Sequence, residues 1–324
     1  MTPGIAALET LARRARDELA LFDYPDRAWV TPVRDGNGDP VHNVLVAGGG
    51  QNGLGIAFAL RRERIDGVTV LDENPPGQEG PWATYARMLT LRTLKFLTGP
   101  DLGVAALTFR AWHEAQYGEQ SWNDLIRIPR EEWMRYLIWF RATLNLPVRN
   151  GVRLDRIEPR GNLLAVHLTT PDGPAVAVTR KLVLASGMQG AGRPRVPEFV
   201  RENLPKEYWA HTTESIDFAH LAGKRVAVIG AGASAFDNAA MVPRRVADEV
   251  LELLFAAALN HGGHRGQRAV LGLRQSAQIT RSNRHAVPCA GAEEPAVAID
   301  QRCERLRNTI HQRRGQPSSE HEVT

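Results

Sequence analysis

The chain has little cysteine, little lysine and, beyond Phe255, no Phe, Trp or Tyr at all. Two cysteines, Cys289 and Cys303, in 324 residues cannot build a disulfide framework. They also stand too far apart for the Cys-x-x-Cys pair that a disulfide reductase needs. A reducing, cytoplasmic setting is the expectation. Long apolar runs are missing as well, and none approaches the ~20 residues of a membrane helix. Near the N-terminus, Glu9, Arg13, Arg14, Arg16, Asp17 and Glu18 interrupt what would have to be the apolar core of a signal peptide. No membrane partner is expected. Nor is there a large excess of one charge: the formal balance is +4, and Lys95, Lys181, Lys206 and Lys224 are the only lysines among 40 basic residues. Basic and aromatic residues do not interleave along one face, which argues against nucleic acid as a partner. His261, His264, Cys289 and Cys303 match no usual zinc spacing, so no metal is expected.

What remains is an ordinary globular composition, 43% hydrophobic and 23% charged, with length enough for two domains. Residues 5–22 carry Leu8, Leu11, Ala15 and Leu19 on one stripe, the pattern of a helix packed on a core. The first chemically informative stretch begins at Val44-Leu45-Val46, a short apolar run suited to a buried parallel strand. Gly48, Gly50 and Gly53 follow in G-x-G-x-x-G spacing, and Ile56, Ala57 and Leu60 continue at helical spacing. The three glycines permit, in order, a tight turn, close approach of a pyrophosphate to the backbone, and close packing of helix on strand. The N-terminus of the helix supplies free N–H groups and partial positive charge to the phosphates. A second strand, residues 68–71, ends in Asp72 and Glu73, where an acid can bond a ribose hydroxyl.

A second such turn lies far downstream. Val226 to Ile229 lead into Gly230, Gly232 and Ala235, a G-x-G-x-x-A pattern, and Ala231, Ala233, Ala239 and Ala240 keep the next helix slim. Two mononucleotide-binding units, one for each of two dinucleotides, is the simplest account. Between them, Pro129 opens a helix with Trp133, Tyr136, Leu137, Phe140 and Leu144 at helical spacing. Residues 148–179 read as short antiparallel strands with a turn at Pro171-Asp172-Gly173. A separate buried run, Leu182 to Ala185, ends in Ser186 and Gly187, leaving room for a flat ligand against the backbone.

Taken together, the Gly48 turn with Asp72 and Glu73, the segment Gly80-Pro81-Trp82, Ala185-Ser186-Gly187 and the run from Gly230 through Ser234 to Asp237 resemble the two-dinucleotide-domain flavoproteins. Within these, the chain is most similar to the flavin-containing monooxygenases and related N-hydroxylases, over roughly residues 42–255. The resemblance implies an α/β fold: a Rossmann-like FAD-binding domain with an inserted, incomplete NADPH-binding Rossmann domain. The implied boundaries are a lead-in over 1–42, the FAD domain over 43–200, a linker over 201–222, the start of the NADPH domain over 223–260, and an atypical, disordered tail over 261–324. The implied cofactors are FAD and NADPH. The expected binding residues are Gly48, Gly50, Gly53, Asp72, Glu73, Trp82, Ser186 and Gly187 for FAD, and Gly230, Gly232, Ser234 and Ala235 for NADPH. The implied reaction is hydroxylation of a small molecule through a flavin hydroperoxide, and the cofactor carries that chemistry, so no catalytic side chain is assigned. A flavin-dependent NAD(P)H oxidase or dehydrogenase and an inactive nucleotide-binding remnant are the alternatives.

Several positions depart from the family. Its fingerprint sets a Phe and a Gly ahead of a His, whereas His211 and Thr212 here follow Pro205 and Glu207. Ala256 and Ala257 stand where arginines often hold the 2′-phosphate, and Arg244 and Arg245 read as solvated, so poor discrimination between NADPH and NADH is expected. The stretch after Phe255 contains half of the 10 histidines and little apolar periodicity. It has the composition of a flexible tail, and of what a shifted reading frame or a truncation would leave.

Overall fold

The computed structural model describes residues 3–187, 190, 192, 194–221, 224, 226–230, 232–242 and 250–253, all within one compact unit, Met1–Ala257. The expectations for Arg244, Arg245, Ala256, Ala257 and the tail over 261–324 lie outside the described residues.

The chain opens with α1 (Pro3–Ala20). The predicted stripe is the face it buries: Ala15 is fully buried, Leu11 nearly so, and Leu8 and Leu19 pack at the margin of the same core. Next come β1 (His42–Ala47), α2 (Gln51–Arg62) and β2 (Val68–Asp72), the βαβ unit read from the sequence. α3 (Phe109–Asp124) starts on a Thr108 cap, whose hydroxyl accepts from the Ala111 N–H at 3.1 Å. α4 (Arg130–Leu144) begins at Pro129, carries Glu131 and Glu132 in its first turn, and ends on Asn145 in the left-handed region.

The strands β3 (Val148–Asn150), β4 (Arg153–Arg160), β5 (Leu163–Thr170) and β6 (Gly173–Leu184) complete a sheet of order β3-β2-β1-β6-β5-β4. β3, β2, β1 and the second half of β6 are parallel, with Val46 beside both Val70 and Val183. β4, β5 and the first half of β6 form an antiparallel meander.

Two sequence expectations are corrected here. Residues 148–150 do not belong with the antiparallel strands: they pair in parallel with β2 at the sheet edge. The run Leu182 to Ala185 is not a separate strand but the end of β6. One long strand serves two partners, and the exchange happens at Thr179, which pairs with both Leu164 and His42. Thr179 is completely buried, and its hydroxyl lies within hydrogen-bond distance of the carbonyls of His42 (3.1 Å) and Lys181 (2.8 Å), so its one O–H has an acceptor at the exchange.

Strand alternation sorts the core into two layers. Val44, Val46 and Val70 face the helices, joining Leu54, Phe58 and a cluster of aromatics around Tyr136. Leu45 and Leu71 face the other way, against Val152, Val166 and Leu168 of the meander segment. The aromatic stripe of α4 is thus core, with Phe140 edge-on to Phe58 at 5.7 Å. A short α5 (Glu198–Asn203) follows the sheet. Downstream, β7 (Val226–Ile229), α6 (Ala233–Met241) and β8 (Val250–Leu253) form a second βαβ unit, β7 and β8 pairing in parallel from Val226–Val250 onward.

Candidate dinucleotide-binding site

The C-terminal ends of β1, β2 and β6 meet at the first glycine turn, where an open α/β sheet places its ligand crevice. Gly48 leaves β1 with φ +112°, and its N–H donates to the Leu71 carbonyl at 2.7 Å. A Cβ on Gly48 would lie 2.4 Å from the Ala185 carbonyl oxygen, and one on Gly53 only 1.8 Å from the Gly48 carbonyl oxygen. Both positions exclude any side chain for reasons internal to the protein. Gly50 is different. Its φ of −69° suits any residue, and an added Cβ would meet nothing nearer than the Gly80 Cα, at an ordinary 3.5 Å. Neither φ nor packing excludes a side chain there. Gly50 is also the N-cap of α2 and supplies no side-chain cap, so the first-turn N–H groups face the crevice without one.

Asp72 is buried at the end of β2. Its Oδ2 accepts the Gly49 N–H at 2.7 Å, and its Oδ1 accepts from Asn74. The acid therefore holds the glycine turn in shape as well as standing at the crevice, a role that spacing along the chain does not show. Glu73, by contrast, is exposed.

The loop after β2 is fixed by a polar network that the sequence did not reveal. Glu79 is buried; its Oε1 accepts from Arg141 (2.6 Å) and Asn150 (2.7 Å), and its Oε2 from the Gly77 N–H (2.8 Å). Arg141 also donates to the Val148 carbonyl at 3.0 Å. The network ties loop, helix and edge strand together beside a cavity of about 180 Å³ lined by Gly49, Leu54, Pro76, Met134 and Ile138 among others.

Gly80 comes opposite Gly50, and Trp82 follows it half-buried at the margin of the helical core. Arg130 holds this loop by donating to the carbonyls of Trp82 (2.6 Å) and Ala86 (2.9 Å). The Trp82 indole N–H is buried without a partner among the described residues. Other tryptophans share that condition, but Trp82 alone lies beside Gly80, at the glycine turn. Ser186 and Gly187 are exposed just beyond Ala185, whose N–H donates to the Ala47 carbonyl at 2.7 Å. Gly48, Gly50, Gly53, Asp72, Trp82, Ser186 and Gly187 thus belong to one end of one sheet.

The second turn is built alike. Gly230 has φ +150°, Gly232 caps α6 with open space around it, Ser234 is exposed and Ala235 is buried against Gly230. α6 is tied to the first unit by Arg92, which donates to Asp237 Oδ2 and to the Ala233 carbonyl. His211 turns inward on its own loop, its Nδ1 against the Thr213 hydroxyl at 2.8 Å.

Residues 45–250, spanning both turns, match the model of the pyridine nucleotide-disulphide oxidoreductase family. The chain belongs to this family. A FAD-dependent urate hydroxylase of Xanthomonas campestris pv. campestris is 51% identical over 235 residues, which is 72% of this chain and 49% of the relative. The chain therefore spans about half the length of that curated relative. Among solved structures, an ornithine hydroxylase from Pseudomonas aeruginosa has a similar fold at 19% identity and TM-score 0.57, over 85% of this chain and 70% of the other. The bacillithiol disulfide reductase of Staphylococcus aureus is similar at 16% identity and TM-score 0.52, over 74% of this chain and 64% of the other. The Rossmann-like α/β class and the resemblance to flavin-dependent hydroxylases agree with these matches. Among the described residues, no helix is long and apolar enough to cross a membrane.

Proposed function

We propose that the first glycine turn binds FAD, that the second binds NADPH, and that the chain is the cofactor-binding part of a flavin-dependent monooxygenase acting on a small molecule. The observation that supports this reading most is Gly50: unlike Gly48 and Gly53 it has room for a side chain, which suits a space left open for a ligand. A pyrophosphate lying on the first turn of α2 would take its N–H groups and its partial positive charge. Asp72, already steadied by Gly49, would offer its remaining lone pairs to a ribose hydroxyl, with Glu73 beside it. Trp82 would give its unpartnered N–H, and Ser186-Gly187 would let a flat ring lie against the backbone. Gly230, Gly232, Ser234 and Ala235 would cradle the NADPH pyrophosphate in the same way. Bound FAD would accept a hydride from NADPH and, once reduced, activate molecular oxygen for transfer to the substrate.

The 51% identical relative is named a urate hydroxylase, which supports urate or a similar small molecule as the substrate class to test first. The test is the visible absorption spectrum of the purified chain, followed by NADPH and oxygen consumption with and without urate. Flavin bands and urate-coupled oxygen use support the reading. Flavin bands with oxygen use that ignores every substrate tried would point to an NAD(P)H oxidase. Absence of flavin after addition of FAD would overturn the reading.

A further inference from the structure

A second, larger cavity of about 550 Å³ lies between residues 87–92 and α6, the helix that follows the second glycine turn. Its lining combines the arginines Arg87, Arg92 and Arg127 with the apolar side chains of Met88, Leu89 and Met241. Among the described residues the charges there do not balance. Arg92 is paired with Asp237, but neither Arg87 nor Arg127 has a carboxylate partner. Glu214 reaches Arg87 only through its backbone carbonyl, at 3.4 Å, while its carboxylate is taken by Lys206 and by the His211 N–H. Arg87 otherwise donates to the Thr84 carbonyl and lies over the Phe218 ring, and Arg127 donates to the Arg92 carbonyl. A guanidinium carries five N–H donors, so these contacts leave donors over on both arginines. Burial, and then the charge of Arg130, pull the Arg87 pKa below its usual value.

We propose that this cavity binds a planar organic anion, its charged edge on Arg87 and Arg127 and its body on the methionine and leucine side chains. A guanidinium presents a flat fork of donors that suits two coplanar acceptors, as on a carboxylate or an ionised heterocycle. Methionine and leucine would not favour a naked inorganic ion. The proposal rests on the reading of the chain as part of an enzyme for small molecules, and gives that substrate its class and its holding residues. The same guanidinium chemistry would serve the 2′-phosphate of a nucleotide, so the experiment separates the two sources.

The full chain is titrated calorimetrically with urate, benzoate and adenosine 2′,5′-bisphosphate, as wild type and as Arg87→Gln and Arg127→Gln. Flavin content and circular dichroism are read on the same samples. Saturable binding of urate or benzoate, weakened by roughly tenfold or more in Arg127→Gln with the bisphosphate unaffected, is the expected result. Arg127→Gln keeps the test open if Arg87→Gln fails to fold. Wild-type protein that binds neither organic anion, anion binding unchanged in both variants, or loss confined to the bisphosphate would each overturn the proposal. A chain without flavin that still binds urate through Arg127 would sink the flavoenzyme reading and leave this site standing.

Discussion

The carbonyl oxygen of Gly48 lies 1.8 Å from where a Cβ on Gly53 would be. The helix α2 is seated directly on the end of β1, and the two glycines are one structural unit. Gly53→Ala must therefore push helix and strand apart, at a cost of roughly 1–3 kcal/mol from overpacking. Gly50→Ala meets only van der Waals contact and leaves the fold alone, while Gly50→Val fills the space proposed for phosphate. Thermal melts with flavin content should separate them: Gly53→Ala lowers Tm more than Gly50→Val does in the unliganded chain, where only a favoured N-cap is lost, while Gly50→Val loses flavin. Unchanged flavin in Gly50→Val would mean that the turn is not the pyrophosphate site.

Asp72→Asn replaces an acceptor that serves the Gly49 N–H with a weaker, neutral one. A hydrogen bond to a charged group contributes about 1.5–3 kcal/mol, so a loss of this order is expected, shared between turn stability and ribose binding. Reduced flavin retention with a modest fall in Tm is the expected pair of readings. Flavin retention equal to wild type would remove Asp72 from the cofactor site.

Arg141→Met leaves Glu79 buried with its charge met only by Asn150 and the Gly77 N–H. Removing one partner of such a pair costs about 3–5 kcal/mol. Denaturant unfolding should show that loss, and the double variant Glu79→Gln/Arg141→Met should recover part of it. No recovery would show that the arginine acts through packing instead.

Tyr136 is fully buried, and its hydroxyl donates to the Leu107 carbonyl at 2.8 Å. Burial, and then the charge of Asp101, raise its pKa well above the ordinary 10.0. The folded state thus holds the proton that the unfolded chain gives up. This contribution is complete below pH 10.0 and is lost as pH rises above it. Alkaline denaturation followed by phenolate absorbance should show Tyr136 titrating only with unfolding. Tyr136→Phe should lose about 1 kcal/mol at neutral pH, from the missing hydrogen bond, and show a shallower alkaline decline.

The chain alone made legible the two glycine turns and the elements on either side of them. Strand, glycine spacing, helix and terminal acid are local patterns, each written within a few residues, and local sterics and hydrogen bonding decide them. It also determined which faces of α1 and α4 are buried, because apolar spacing of 3–4 residues marks one side of a helix. The fold was needed to show that β6 is one strand with two partners, since pairing depends on distant His42 and Leu164 meeting Thr179. It decided that Asp72 steadies the Gly49 N–H, that Glu79 gathers Arg141 and Asn150, and that Arg87, Arg92 and Arg127 line one cavity. It also put distances on the three different glycine roles expected from the motif. Gly48 and Gly53 are held by the neighbouring backbone and Gly50 is not, because a clash is a property of atoms brought together by folding and not of spacing along the chain.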